Sequence, residues 1–130
     1  MNEINCPFCK IPPERVVEGN EFAILVRDSY PLTPGHSLVI PRRHVQSIFD
    51  VVPEELQALW KLVEKARALI DDLHRPANYN LGINDGPAAG QSVPHLHVHV
   101  IPRYRGDVVE PRGGVRWIIP ERAAYWEGSQ

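Results

Sequence analysis

His95-Leu96-His97-Val98-His99-Val100, residues 95–100, sets three of the chain's six histidines at alternate positions between apolar residues, with Pro94 before and Pro102 after. This alternation predicts a strand. In a strand, positions i, i+2 and i+4 share a face, so the three imidazoles form one row while Leu96, Val98 and Val100 point to the other face. One face suits packing and the other suits chemistry. Immediately upstream, Asn84-Asp85-Gly86-Pro87-Ala88-Ala89-Gly90-Gln91-Ser92 reads as a loop whose glycines and small donors let backbone N–H groups approach an anion. A lone histidine between apolar residues is ordinarily structural or merely exposed, but three in register beside such a loop point to a site.

At 130 residues, with 43% hydrophobic and 23% charged side chains, the chain has the size and composition of one globular domain, read as 1–130 with a flexible or dimer-contacting tail from about residue 104. A formal charge of −2 supplies no overall attraction for nucleic acid or a membrane surface, so an anionic substrate has to be held locally. No run reaches the length of a transmembrane helix, and Met1-Asn2-Glu3-Ile4-Asn5 is unlike a signal peptide, which predicts a cytoplasmic protein. In that compartment the only cysteines, Cys6 and Cys9, are not expected to form a structural disulfide.

Cys6-Pro7-Phe8-Cys9 is a C-x-x-C knuckle followed by Lys10-Ile11-Pro12-Pro13, which lacks the βα context of a redox pair. It is either half of a zinc site or two incidental thiols. His44 and one member of the histidine row would complete a zinc tetrahedron. Residues 16–40 read as a hairpin-like region, with strands at Phe22–Val26 and Ser37–Ile40 around a turn-rich loop from Asp28 to Gly35. Asp28 either caps that loop or accepts from ribose hydroxyls. Arg42 and Arg43 read as a solvated corner.

Pro53 to about Leu73 predicts a long amphipathic helix. Its acidic first turn is followed by an apolar stripe of Leu56, Leu59, Trp60, Val63, Ala66, Ile70 and Leu73. The stripe suits a core face, and Trp60 suits a dimer contact equally. Tyr79–Asn84 predicts a further strand, and Val115–Pro120 is either an edge strand or a dimer contact.

Asn84 through Arg103, with Gly90-Gln91-Ser92-Val93-Pro94-His95-Leu96-His97-Val98-His99-Val100, closely resembles the signature of the histidine triad (HIT) superfamily of nucleotide hydrolases and transferases. The likeness extends to the Cys6–Cys9 knuckle, to Pro34-Gly35-His36-Ser37-Leu38-Val39-Ile40-Pro41 and to the helix. The tail from Asp107 to Pro120 looks most like the fragile-histidine-triad branch and its bacterial relatives. The resemblance implies an α+β fold, an antiparallel sheet of about five strands with one long helix packed on it, and a homodimer.

It also implies roles. His97 matches the nucleophile that attacks the α-phosphorus of a purine nucleotide, and Gln91, Ser92 and His99 match residues that contact the phosphate or leaving group. Asn84 and the Gly90 backbone complete the pocket, and Asp28 matches the ribose-binding position. The role of His36 stays open. Cys6, Cys9, His44 and His95 match the ligands of one structural zinc per chain. Retention of a nucleophile favours an enzyme over a nucleotide-binding adaptor. The apolar residues around Ile11, Phe22 and Val26 are candidates for a base pocket, although core packing explains them equally well.

Overall fold

The computed structural model describes residues 5–128. Five strands form one antiparallel sheet: β1 (Val16–Gly19), β2 (Ala23–Arg27), β3 (Ser37–Pro41), β4 (Asn78–Gly82) and β5 (Val98–Arg103), in the order β1-β2-β3-β5-β4. The helix α1 (Pro53–His74) enters between β3 and β4 and packs on one face of the sheet. The expected α+β architecture is therefore present.

Burial explains which strands lie in the middle. Ala23 to Val26 of β2 and all of β3 are buried, as expected for strands covered on both faces. Ala23, Leu25, Val39, Val98 and Val100 face α1, whereas Ile24, Val26, Leu38 and Ile40 face away from it. The register pairs Leu38 with His99 and Val39 with Val98, so the histidine face of β5 continues the face turned away from α1.

Helix α1 begins at Pro53, with Glu54 and Glu55 in its first turn. The Glu55 carboxylate accepts from the Val52 N–H at 3.0 Å and from the Arg43 guanidinium at 2.9 and 3.0 Å. Arg43, expected to be a solvated corner, instead clamps a buried carboxylate to the helix start. Leu59, Leu62, Val63, Ala66 and Ile70 form the buried stripe. Each large apolar side chain among them contributes about 1.5–3 kcal/mol, far more than intrinsic helix propensity. Leu56, Trp60 and Leu73 share the spacing but are more than half exposed, so the buried stripe is narrower than the spacing suggests.

Three expected boundaries differ. Strand β5 starts at Val98 and not at His95, since the β3 ladder ends at the Val39–Val98 pair and Leu96 instead donates to the Val45 carbonyl at 2.7 Å. Alternation nevertheless persists through the irregular stretch, with Leu96 in the core beneath α1. Strand β4 ends at Gly82, leaving Ile83 and Asn84 in the following loop. The tail forms no edge strand: Gly114–Ile118 is a 3-10 helix, followed by the short α2 (Pro120–Ala123). Arg112 lies over the Trp126 ring at 4.8 Å and Arg116 over Tyr125 at 4.7 Å, so the segment folds on itself.

Candidate functional site

The three histidines of the row divide between two sites. His95 is wholly buried beside the N-terminal knuckle. Its Nε2–H donates to the Pro41 carbonyl at 2.8 Å, and because a carbonyl only accepts, the lone pair stays on Nδ1. That nitrogen lies 3.4 Å from both Cys6 Sγ and Cys9 Sγ and 3.2 Å from His44 Nδ1, and Cys9 Sγ is 3.1 Å from His44 Nδ1. All four ligand atoms fall within 4.8 Å of one another.

A tetrahedron with metal–nitrogen bonds near 2.0–2.1 Å and metal–sulfur bonds near 2.3 Å has edges of about 3.3–3.8 Å. The observed separations are close to those edges. Two thiols and two imidazoles suit zinc, and four donors leave no open coordination position.

His97 and His99 line a cleft of about 550 Å³ on the face turned away from α1. The His97 Nδ1–H donates to the His95 carbonyl at 2.8 Å. Nε2 is therefore the nitrogen with the free lone pair, and it has no hydrogen-bond partner among the described residues. The ring is held from the side by Phe8, edge-on at a centroid distance of 5.0 Å. Phe8 stands between the two knuckle cysteines, so the metal-ligand cluster and the cleft share a wall.

His99 meets His36, whose Nε2 lies 2.9 Å from His99 Nδ1 and 3.3 Å from Asp28 Oδ2. The Leu32 N–H donates to His36 Nδ1 at 3.0 Å, so the His36 proton is on Nε2. Burial, reinforced by His97 and His36 nearby, pulls the His99 pKa down to about 4 against a weaker opposing pull from Asp28. Burial likewise lowers His36, partly offset by Asp28. Both rings are neutral near pH 7. Asp28, His36 and His99 also bring three ligand atoms together, but hydrogen bonding accounts for that grouping.

Asp28 also accepts from the Tyr30 N–H at 2.9 Å, so it braces the loop and faces the cleft at once. Asn84, Gly90 and Ser92 also line the cleft. The Gly90 N–H donates to the Pro87 carbonyl at 3.0 Å, however, and the Gln91 N–H to the Gly86 carbonyl at 3.1 Å. Donors without an internal partner begin at Ser92, whose amide and hydroxyl are both unengaged among the described residues, as is the Asn84 carboxamide.

Gln91 stands outside the cleft lining. Its side chain accepts from the Gly86 N–H at 2.8 Å and donates to the Gln46 and Val93 carbonyls at 3.0 and 3.1 Å. Ile11, Phe22 and Val26 do not line the cleft either. Phe22 packs toward α1, while Val26 and Ile11 belong to the opposite apolar cluster. The apolar walls are instead Pro7, Phe8, Tyr30, Leu32, Leu38 and Val93.

Arg15 is a cation at the cleft, held by its Nη2 donating to Ser29 Oγ at 2.9 Å. No sequence signal marks Arg15. Phe8 could have been found as the large apolar residue inside the C-x-x-C knuckle.

Residues 10–106 match the HIT domain family. The chain belongs to the HIT family. It is 38% identical over 98 residues to the bifunctional bis(5'-adenosyl)-triphosphatase/adenylylsulfatase FHIT of Arabidopsis thaliana, covering 75% of this chain and 54% of that protein. It is also 38% identical over 107 residues to the AP-4-A phosphorylase of Mycobacterium tuberculosis, covering 78% of this chain and 55% of that protein. The chain thus spans about half the length of these curated relatives. A solved structure described as a Zn-bound histidine triad family protein from Mycobacterium smegmatis superposes with a TM-score of 0.73 at 33% identity, covering 84% of this chain and 82% of that one. The matched span contains His97 and His99 of the cleft and two of the four cluster residues, His44 and His95, while Cys6 and Cys9 precede it.

Proposed function

We propose that the chain is a nucleotide hydrolase that cleaves at the α-phosphate of purine nucleotide derivatives, dinucleoside polyphosphates or nucleoside phosphoramidates, through a covalent nucleotidyl-histidine at His97. One observation carries this reading: the His95 carbonyl fixes the His97 proton on Nδ1, which leaves Nε2 as a nucleophile in a ring that lines the cleft. In the first step Nε2 donates its lone pair to the α-phosphorus as the bond to the leaving oxygen breaks or, in a phosphoramidate, as the bond to a nitrogen that has taken up a proton from solvent breaks and the amine departs. In the second step water attacks the same phosphorus, the N–P bond breaks, and the nucleoside monophosphate departs.

Charge builds on the leaving group and the equatorial oxygens, where Ser92, Asn84 and the His99 ring supply fixed donors. Asp28 accepts from the ribose hydroxyls. Gly90 shapes the cleft wall, and Gln91 acts through the loop it braces. Relatives named as a triphosphatase and a phosphorylase support nucleotide processing of this class.

The AP-4-A phosphorylase likeness favours a second reading, in which inorganic phosphate replaces water in the second step. Incubation with diadenosine polyphosphates and adenosine phosphoramidates is expected to give an adenylated peptide containing His97. Adding phosphate leaves the products unchanged for a hydrolase and yields a nucleoside diphosphate for a phosphorylase. Absence of any His97 adduct under quenched turnover overturns the covalent path.

Cys6, Cys9, His44 and His95 would hold one structural zinc per chain, which would tie the N-terminal knuckle to the segment before β5 and take no part in bond breaking. Metal analysis is expected to return one zinc per chain.

We further infer a homodimer formed along β4. This strand is one of the two sheet edges, and beside it Trp60 and Leu81 are about half exposed. Sedimentation is expected to give twice the 14.7 kDa chain mass. No helix of the described residues is long and apolar enough to cross a membrane. A cytoplasmic setting, free of nucleic-acid or membrane partners, suits the two unbridged thiols.

A further inference from the structure

We propose that His36 is a positioning residue that transmits the occupancy of Asp28 to the proton on His99, so that preference for ribose over deoxyribose is exerted in the chemical step. This rests on the nucleotide reading of the cleft given above. The geometry leaves His36 little freedom. Its side chain is 2% exposed, its N–H donates to the Thr33 carbonyl at 3.1 Å, and its own carbonyl accepts from the Asp28 N–H at 3.0 Å. The Leu32 amide occupies Nδ1 at 3.0 Å, which assigns the only ring hydrogen to Nε2.

That single hydrogen faces two acceptors, His99 Nδ1 at 2.9 Å and Asp28 Oδ2 at 3.3 Å. A carboxylate is the stronger acceptor, so with Asp28 otherwise unengaged on that oxygen the hydrogen is shared and its hold on His99 is weakened. Ribose hydroxyls on Asp28 are donors, and they take up the carboxylate lone pairs. His36 then donates undivided to His99 Nδ1. With Nδ1 accepting, the His99 proton sits on Nε2, where it can meet the phosphoryl oxygens. The sugar thereby sets the orientation of a donor that acts on phosphorus.

Recognition of the hydroxyls and stabilisation of the transition state are thus connected through one ring, not merely adjacent. A deoxyribose would still enter the cleft. It would leave the shared hydrogen bond unsharpened, so the loss would appear in turnover as well as in binding.

Kinetics of the purified chain on diadenosine triphosphate and its 2′-deoxy counterpart test this. In the wild type, kcat is expected to fall about tenfold on the deoxy substrate, the size of one hydrogen bond to a charged group, beyond any change in KM. In His36→Gln, whose amide carries two hydrogens and can serve both acceptors, the ribo-to-deoxy ratio of kcat is expected to approach one. A purely structural role for His36 would lower kcat on both substrates alike and preserve the ratio.

Histidine 15N spectra of the wild type give a second measurement that needs no variant. AMP, and not 2′-deoxy-AMP, is expected to shift His99 toward the Nε2–H tautomer. Discrimination confined to KM, an unchanged ratio in His36→Gln, or identical His99 shifts with both nucleotides overturns the inference while leaving the hydrolase reading intact. If no nucleotide is turned over and neither AMP nor 2′-deoxy-AMP moves any cleft histidine, the hydrolase reading fails and takes the inference with it.

Discussion

His95 and His97 are two residues apart, share a face and are both buried, yet one sits in a closed cluster of thiols and imidazoles and the other in an open cleft. The difference lies in which ring nitrogen a backbone carbonyl takes. Pro41 binds Nε2 of His95 and leaves Nδ1 toward the cysteines, whereas the His95 carbonyl binds Nδ1 of His97 and leaves Nε2 free. Identical side chains thus acquire different chemistry from partners that themselves take no part in it.

Breaking the open end at its centre has the largest expected effect. His97→Ala should fold and yet lose turnover by about six orders of magnitude, the effect of removing a nucleophile elsewhere. Rapid-quench kinetics with a labelled nucleotide measure this, and near-normal turnover would sink the assignment.

Breaking the closed end should instead cost stability. Cys6 is wholly buried among its partners, so Cys6→Ser is expected to lower unfolding free energy by several kcal/mol. A chelator should lower the wild type toward the variant and leave the variant unchanged, as read by urea denaturation. A wild type indifferent to chelator would mean that the cluster holds no structural metal.

A smaller effect sharpens the contrast. Ser92 has an unengaged hydroxyl at the cleft, and Ser92→Ala should reduce kcat by about 3 kcal/mol, or roughly a hundredfold, with the unfolding midpoint unmoved. Equal losses in kcat and stability would place Ser92 in the scaffold.

The smallest expected effect concerns His99. Its folded-state pKa of about 4 lies below the ordinary 6.5, so between these values the unfolded chain binds more protons than the folded one. Stability should therefore rise with pH across that window and be fully present above it. Urea midpoints between about pH 5 and pH 7 should slope less for His99→Gln than for the wild type, and equal slopes would count against a buried neutral His99.

Periodicity made the histidine row, the two central strands and the helix legible, because each is fixed by which residues must be buried. It also placed Leu56, Trp60 and Leu73 on the packed stripe, since spacing does not reveal how wide a face of the helix the sheet covers. The tail was unreadable as structure because its order comes from local cation–aromatic contacts, not from an alternating pattern. At the site, residue types and spacing pointed to the knuckle, His44 and one unspecified histidine of the row, and it was the family resemblance that singled out His95, whose ring nitrogen lies with the other three ligand atoms within 4.8 Å. The link from Asp28 through His36 to His99 could not be read, because His36 and His99 are 63 residues apart and meet through ring nitrogens whose roles depend on the folded hydrogen bonds. Gln91 illustrates the opposite case: motif reading sends it to the phosphate, whereas its amide is occupied three times over within the loop.

That occupation bears on how the cleft meets a ligand. Gln91 reaches the Gln46 carbonyl, and Asp85 accepts from Ser47 Oγ and the Ile48 amide, so the segment before β5 is laced to the turn ahead of α1. Disorder in this stretch is removed once, when the chain folds, and not again at each encounter with a guest. A rim of this stiffness selects guests by shape on arrival, and crystals grown with and without a nucleotide should superpose along residues 84–93 as closely as the sheet itself.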